Sequence, residues 1–461
     1  VEGSDIPAQW WTLFHSEALD QLIRRALADS PTLASAEAAL RQARENLNAT
    51  AGTVLYPSVD ANLSASRQGI TGASTGVSGD VTTTYNLFNA SVNVSYTLDL
   101  FGKGRRELEG LRAQIDYQKF LLQGAHLTLA SNIVTAAVKE ASLRGRIQAY
   151  EAIVAAQTRQ LNMVTRQSLL GGAAQSDVLA QQAQLAQTRA ILPPLESELA
   201  ITRNQLALLS GQFPGNAALP EFRLEEFKLP SELPVSLPSA LVRDRPDIRA
   251  NEELMHAAMA NVGVATANLY PQVTLSASAG SSALRVEDLF SPGTGIWSVG
   301  AGLLQPIFHG GELTAKRRAA IAAYEQALAQ YRETVLKAFQ EVADVLQALE
   351  ADARTLRAQT EAEAVARDSL TLTEKQFEYG ATNYLTLLNA QRQHNLALVA
   401  LVQVQSNRFA DTAALFQALG RVWWEEKGNE EERPFGFPFK SGKIDKAERN
   451  SPSKPISEEK Y

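Results

Sequence analysis

The chain holds 461 residues with 43 basic and 50 acidic side chains, a net charge of −7, so it has no basic excess to draw nucleic acid. It contains no cysteine, which removes disulfides, thiolate metal sites and a cysteine nucleophile, and which suits export to an oxidising compartment. No run of about 18 apolar residues occurs, so no membrane-spanning helix is expected, and any crossing of a membrane must be made by strands.

Residues 1–29 read as an N-terminal arm. Val1 to Pro7 carry no charged and apolar leader, so any signal peptide is expected to have been removed or never to have been present. Trp10 and Trp11 then precede an amphipathic run with Leu19, Leu22, Ile23 and Leu27, a short helix expected simply to pack on the body. Ser30 as N-cap and Pro31 in the first turn open an Ala-rich helix to about Val54. Pro57 marks a change of period. From Ser58 to Gln68 apolar and polar residues alternate, a Gly, Ser and Thr loop follows, and Phe88 to Leu100 alternates again, which gives a β-hairpin over 57–101. Gly102-Lys103-Gly104 is too short for a phosphate loop and serves the turn. A helix from Arg105 to Leu170 has no proline and ends at Gly171 and Gly172. Another covers 173–210, with an interruption expected at Pro193 and Pro194, and Gly211 closes it. Residues 212–240, rich in Pro and mixed charge, read as a linker or equatorial segment.

The pattern then starts again. Arg245-Pro246-Asp247 opens a helix, Ala265 to Pro271 echoes Ala51 to Pro57, and residues 270–308 form a second hairpin. Glu312 to Tyr379 runs about 68 residues without Gly or Pro, so it can only be one helix, roughly 100 Å long. Its apolar residues Ile321, Tyr324, Leu328, Tyr331, Val335, Ala338, Val342, Val345 and Leu349 alternate steps of three and four, the repeat of a left-handed coiled coil. It therefore needs partner helices of matching length. Gly380 ends it, and a helix over 381–419 closes at Gly420. Residues 30–211 and 241–420 are thus two copies of helix, hairpin, very long helix and returning helix, about 210 residues apart. The tail, 421–461, is charged with little to bury and is expected to be equatorial or disordered.

Four strands per chain cannot close a barrel, since the smallest have about eight. Two chains give eight strands and a lumen filled by side chains; three give twelve and leave room for water. The small polar faces of Ser, Asn, Thr and Gly favour an open lumen. Phe88, Tyr96, Phe101, Trp297 and Phe308 on the apolar side suit an aromatic belt. Strands packed on a soluble core alternate in the same way, so a soluble coiled-coil interaction protein with a small β domain stays open on the strands alone. The helices weigh against it: a shaft of about 100 Å is too long for a compact enzyme and suits bridging a periplasm. The five histidines, His15, His126, His256, His309 and His394, have no metal-ligand spacing, and neither a metal site, a cofactor nor an enzymatic centre is expected.

The stretches RDRPDIRANE (243–252), NLYPQVTLSAS (268–278) with its partner VLYPSVDANLSAS (54–66), YTLDLFGKGRRELE (96–109) and YGATNYLTLLNAQRQ (379–393) resemble the TolC family of outer-membrane efflux proteins, in its OprM or NodT-like lipoprotein branch. The resemblance covers the chain to about Trp424. It implies an α+β membrane protein: a homotrimer with a twelve-stranded outer-membrane β-barrel, four strands per chain, continuing into a twelve-membered α-helical barrel in the periplasm. Its partners would be a periplasmic adaptor, an inner-membrane transporter of the resistance-nodulation-division type and outer-membrane lipid. The implied role is a passive duct for drugs or other small toxic compounds; protein secretion of type I and metal efflux are the alternatives within the fold. That branch begins its mature chain with a lipid-bearing Cys, absent here, so either this sequence starts after it or this member lacks the anchor.

The resemblance also implies a pore constriction at the periplasmic tip, where the family places a Leu and an Asp on one helix face. The matching residues are Leu385 and Asn389, four apart. Asn389 removes a ring of carboxylates. Asp177 in the first repeat either supplies an acidic ring instead or only stabilises an early helical turn through the dipole. The helix tips with Gly171, Gly172, Gly380, Thr382 and Asn383 are expected to meet the adaptor.

Overall fold

The computed structural model describes residues 9–71, 82–229 and 245–420. The expectations for Val1 to Pro7, for the middle of the first hairpin loop, for the linker beyond 229 and for the tail after Gly420 fall outside the described residues.

Two helices of 67 residues set the dimensions. In chain order the elements are α1 (Glu17–Asp29), α2 (Pro31–Leu55), β1 (Ser58–Thr71), β2 (Thr82–Leu98), α3 (Lys103–Leu169), α4 (Gln175–Leu209), α5 (Pro246–Ala267), β3 (Gln272–Ala283), β4 (Gly295–Leu304), α6 (Glu312–Glu378) and α7 (Tyr384–Leu419). At 1.5 Å per residue α3 and α6 are each about 100 Å long. Neither could stand alone in water, because each carries an apolar seam that a neighbour must cover. α3 packs against α2, α4, α5 and α7, and α6 against α5 and α7. Beyond the far ends of α3 and α6 the chain folds back into α4 and α7, so each repeat makes one long helical hairpin.

The strands form one antiparallel sheet in the order β1-β2-β3-β4. Its register carries the alternation across all four strands. Val59, Val94, Ala277 and Val299 lie in one row, and Ala61, Val92, Ala279 and Trp297 in another. The intervening rows are polar: Asp60, Asn93, Ser278 and Ser298, with the Ser278 and Ser298 hydroxyls 2.8 Å apart. Because side chains alternate with period two, this register gives one apolar and one polar face. The apolar face is bare within the chain, with Leu63 78% and Val299 76% exposed. Among the described residues β1 and β4 have no partner on their outer edges.

The core lies partway along the shaft. Trp10, Trp11 and Phe14 are buried, and Trp10 stacks on Phe416 of α7 at 5.3 Å. Ile133, Val134 and Ala137 of α3 are fully buried in the same cluster as Leu19, Ile23 and Phe222. Beside it the fully buried Glu140 accepts from Arg144 Nε at 3.0 Å and from Arg203 Nη1 at 2.6 Å, while Arg144 also pairs with Glu221 at 3.3 Å. This network ties the segment after α4 to α3 and α4, and removing either arginine would leave a buried carboxylate short of a partner.

Two features differ from expectation. α4 runs unbroken through Pro193 and Pro194. The prolines leave only the carbonyls of Arg189 and Ala190 without their helical donors, and packing of Leu185 and Leu195, both buried, keeps the helix continuous. Within α3 one 18-residue window is apolar enough by composition to cross a membrane, yet most of it is buried inside the fold. It is a core helix, and its apolar character is spent on α2, α5 and α7.

α6 and α7 also meet through two carboxyls. Burial first, then the neighbouring Asp352, push Asp411 up to about 6. The folded pair holds a proton that the unfolded chain releases near 3.8, so stability falls as pH rises from about 4 to about 6 and the deficit stays at higher pH. Asp411→Asn should therefore raise the thermal midpoint at pH 8 and change it little at pH 4. Equal shifts at both pH values would contradict the shared proton.

Candidate gate and helix tips

Both hairpin tips are built the same way. At the end of α3 the Gly172 N–H donates to Gln167 O at 2.8 Å and the Gly171 N–H to Ser168 O at 3.0 Å. At the end of α6 the Ala381 N–H donates to Gln376 O at 2.8 Å and the Gly380 N–H to Phe377 O at 3.0 Å. These are paired Schellman closures, which need a left-handed residue, and Gly171 (φ 79°) and Gly380 (φ 70°) supply it. The two tips are therefore equivalent products of the duplication.

The returning helices are capped differently. Asn383 caps α7, its Oδ1 accepting from the Thr386 N–H and hydroxyl, both at 2.9 Å. In α4 the Asp177 carboxylate reaches back to accept from the Ala174 N–H at 3.3 Å. Asp177 thus sits at the third helical position, half-buried, and satisfies the N–H of Ala174, the N-cap residue. Leu385 and Asn389 are exposed on one face of α7, Leu385 at 64%, while Leu387 between them is buried. The structure brings Leu385 and Asn389 together on that bare face. It shows no hydrogen bond between Asp177 and either of them among the described residues.

A residue not singled out by sequence joins the two hairpins. The Tyr384 hydroxyl, at the start of α7, donates to Gln181 Oε1 on α4, and the Gln181 amide donates to Gln157 O on α3 at 3.1 Å. Gln181 is fully buried. Burial, and secondarily the charge of Asp177, push the Tyr384 phenol up to about 12, so it stays a donor at any physiological pH. Phe377 packs against the same ring, centroids 6.0 Å apart. Asp177 therefore sits beside the brace that locks the second hairpin to the first.

The tips are apolar as well as tight. Leu169, Leu170 and Tyr379 are each more than 80% exposed, and a Cβ added at Gly171 or Gly380 would meet nothing within 4 Å. Thr382 is half-buried, and Gly172 and Asn383 are exposed on the same tips. At the other end of the molecule the five aromatic positions divide. Phe88, Tyr96 and Trp297 fall on the apolar sheet face, whereas Phe101 and Phe308 lie past the strand ends, in the junction to the helices. There Phe101 stacks on Tyr270 at 5.0 Å.

The family profile described as "Outer membrane efflux protein" matches residues 22–212 and 237–421, one match to each repeat. The chain is 33% identical to the "Pyoverdine export outer membrane protein OpmQ" of Pseudomonas aeruginosa, over 92% of this chain and 90% of that one. Among solved structures it resembles the outer membrane protein VceC of Vibrio cholerae, with TM-score 0.83 and 27% identity over 91% of this chain and 100% of that one. It also resembles the open state of the MtrE outer membrane channel of Neisseria gonorrhoeae, with TM-score 0.79 and 26% identity over 88% and 91%.

Replacing Tyr384 by Phe keeps the ring and deletes the donor, leaving the buried Gln181 oxygen unpaired at a cost of about 1–3 kcal/mol. Hydrogen exchange should then quicken in the first turns of α4 and α7 while the core around Trp10 stays protected. Unchanged exchange at the tips would remove the brace from the account.

Proposed function

The chain belongs to the outer membrane efflux protein family, and from that premise we propose that it is a passive exit duct whose gate is the α7 face carrying Leu385 and Asn389. The protein is an outer-membrane channel with its helical part in the periplasm, trimeric, and one component of a tripartite efflux system. Three copies contribute twelve strands to a barrel, and their long helices continue it as a helical tube. The observation that carries the reading is the pairing of an open four-stranded sheet, apolar on one face and polar on the other, with 67-residue helices.

In this reading the trimer axis passes along the exposed face of α7. Three copies of Leu385 narrow the tip, and three Asn389 amides hydrogen bond across it without charge. Asp177 contributes by capping α4 and by its field at Tyr384, and opening requires the Tyr384–Gln181 brace to yield. The bare apolar tips at Leu170 and Tyr379, together with Gly171, Gly172, Gly380, Thr382 and Asn383, offer the surface a periplasmic adaptor would cover. Phe88, Tyr96 and Trp297 belong to the lipid-facing belt. Energy for transport comes from an inner-membrane transporter of the resistance-nodulation-division type, the partner that the resemblance implies. Small compounds are the cargo, as the name of OpmQ for pyoverdine export suggests for a relative.

Leu385→Ala combined with Asn389→Ala should raise single-channel conductance in planar bilayers several-fold and leave trimer mass unchanged. Conductance equal to that of the parent protein would count against this gate.

A further inference from the structure

Both long helices carry a cluster of cations near their start. Lys103, Arg105 and Arg106 lie in the first turn of α3, and Lys316, Arg317 and Arg318 within two turns of the start of α6. The macrodipole disfavours positive charge at a helix N-terminus. A chain of net charge −7 nevertheless places one basic triplet in the first turn of α3 and a second in the turn that follows Glu312 in α6. In α3 this breaks the local rule, which marks a site whose gain lies outside the helix.

All six side chains are exposed. Internal pairing accounts for only half of them: Arg105 with Asp99 at 3.5 Å, Arg106 with Glu109 at 2.5 Å, and Lys316 with Glu312 at 2.5 Å. Glu109 is shared further, since it also accepts from His256 at 3.1 Å. Lys103, Arg317 and Arg318 have no ion pair among the described residues.

Their height follows from the strands. The apolar rows of the sheet end at Leu98, Val273 and Leu303, and the exposed aromatics Phe101, Tyr270 and Phe308 come next. The basic triplets follow within the first turns of the helices. A bilayer adds roughly 5–8 Å of headgroup on each side of its hydrocarbon, about one helical turn. The order apolar row, aromatic ring, cation therefore matches hydrocarbon, interface and phosphate. The belt is continuous with the membrane face of the barrel and complementary in charge to anionic lipid.

We propose that the triplets Lys103, Arg105, Arg106 and Lys316, Arg317, Arg318 form a ring around the trimer that binds the phosphates of anionic phospholipids in the periplasmic leaflet. The proposal rests on the reading of the sheet as a membrane barrel. The ring holds the barrel at a fixed depth, so that force on the periplasmic tips does not shift it along the membrane normal.

The test uses the full-length trimer in vesicles of phosphatidylcholine carrying a trace of spin-labelled phosphatidylglycerol or spin-labelled phosphatidylcholine. Electron paramagnetic resonance then reads the motionally restricted fraction of each. Phosphatidylglycerol should associate roughly fivefold more strongly at low salt, and the preference should vanish in 0.5 M salt. It should also fall close to one in a variant combining Lys103→Gln, Arg317→Gln and Arg318→Gln, which breaks no internal ion pair and so keeps the trimer, checked by its mass. A parent protein that restricts both lipids equally overturns the proposal while leaving the barrel intact. Restriction of neither lipid overturns the barrel reading itself. Displacement of the labelled lipid only by lipopolysaccharide would place the phosphates in the wrong leaflet and also overturn it.

Discussion

Two bare edges govern this molecule. Among the described residues β1 and β4 each offer an unpaired row of backbone donors and acceptors, over 14 and 10 residues, on a sheet whose apolar face is also uncovered. In a hydrocarbon environment such an edge is untenable, because each unpaired group costs several kcal/mol and no water is there to compensate. A head-to-tail contact of β4 with β1 of the next copy satisfies both edges, and a threefold rotation closes the ring. The same closure places the polar rows inside and the apolar rows outside. Oligomeric state, membrane location and a hydrated lumen thus come from one hydrogen-bonding requirement.

The helices obey a parallel requirement with a different chemistry. Helices of 67 residues with an apolar stripe must be paired along their length, and the chain supplies part of that pairing by duplicating itself. The β2–β3 ladder joins the two repeats at one end, the core around Trp10, Ile133 and Phe416 joins them partway along, and the Tyr384–Gln181 contact joins them near the tip. The first two rest on a full ladder or a buried cluster. The last rests on a few polar contacts, which makes the tip the place where the hairpins can part with least disruption.

Most of the architecture was legible because it depends on local chemistry. Absence of Gly and Pro over Glu312 to Glu378 leaves no alternative to helix, and period-two alternation in β1 to β4 gave the faces that the register then aligned. Pro193 and Pro194 misled, since a proline's local effect on the backbone is readable while the packing of Leu185 and Leu195 that overrides it is tertiary. The candidate site was legible only where it is local. Leu385 and Asn389 share a helix face by spacing alone, and Gly171 and Gly380 announce their turns. Tyr384 was missed because its partner Gln181 is 203 positions away and no pattern in either helix marks the meeting. For Asp177 both roles were open, and its contact with the Ala174 N–H is the local one.

Closure of one barrel by three copies is what the rest of the molecule depends on. Native mass spectrometry of the protein released from detergent micelles measures this directly. The account predicts a single species of three times the 50.0 kDa chain, dependent on detergent for solubility. A monomer that stays in solution without detergent, its edges satisfied by water, would contradict it.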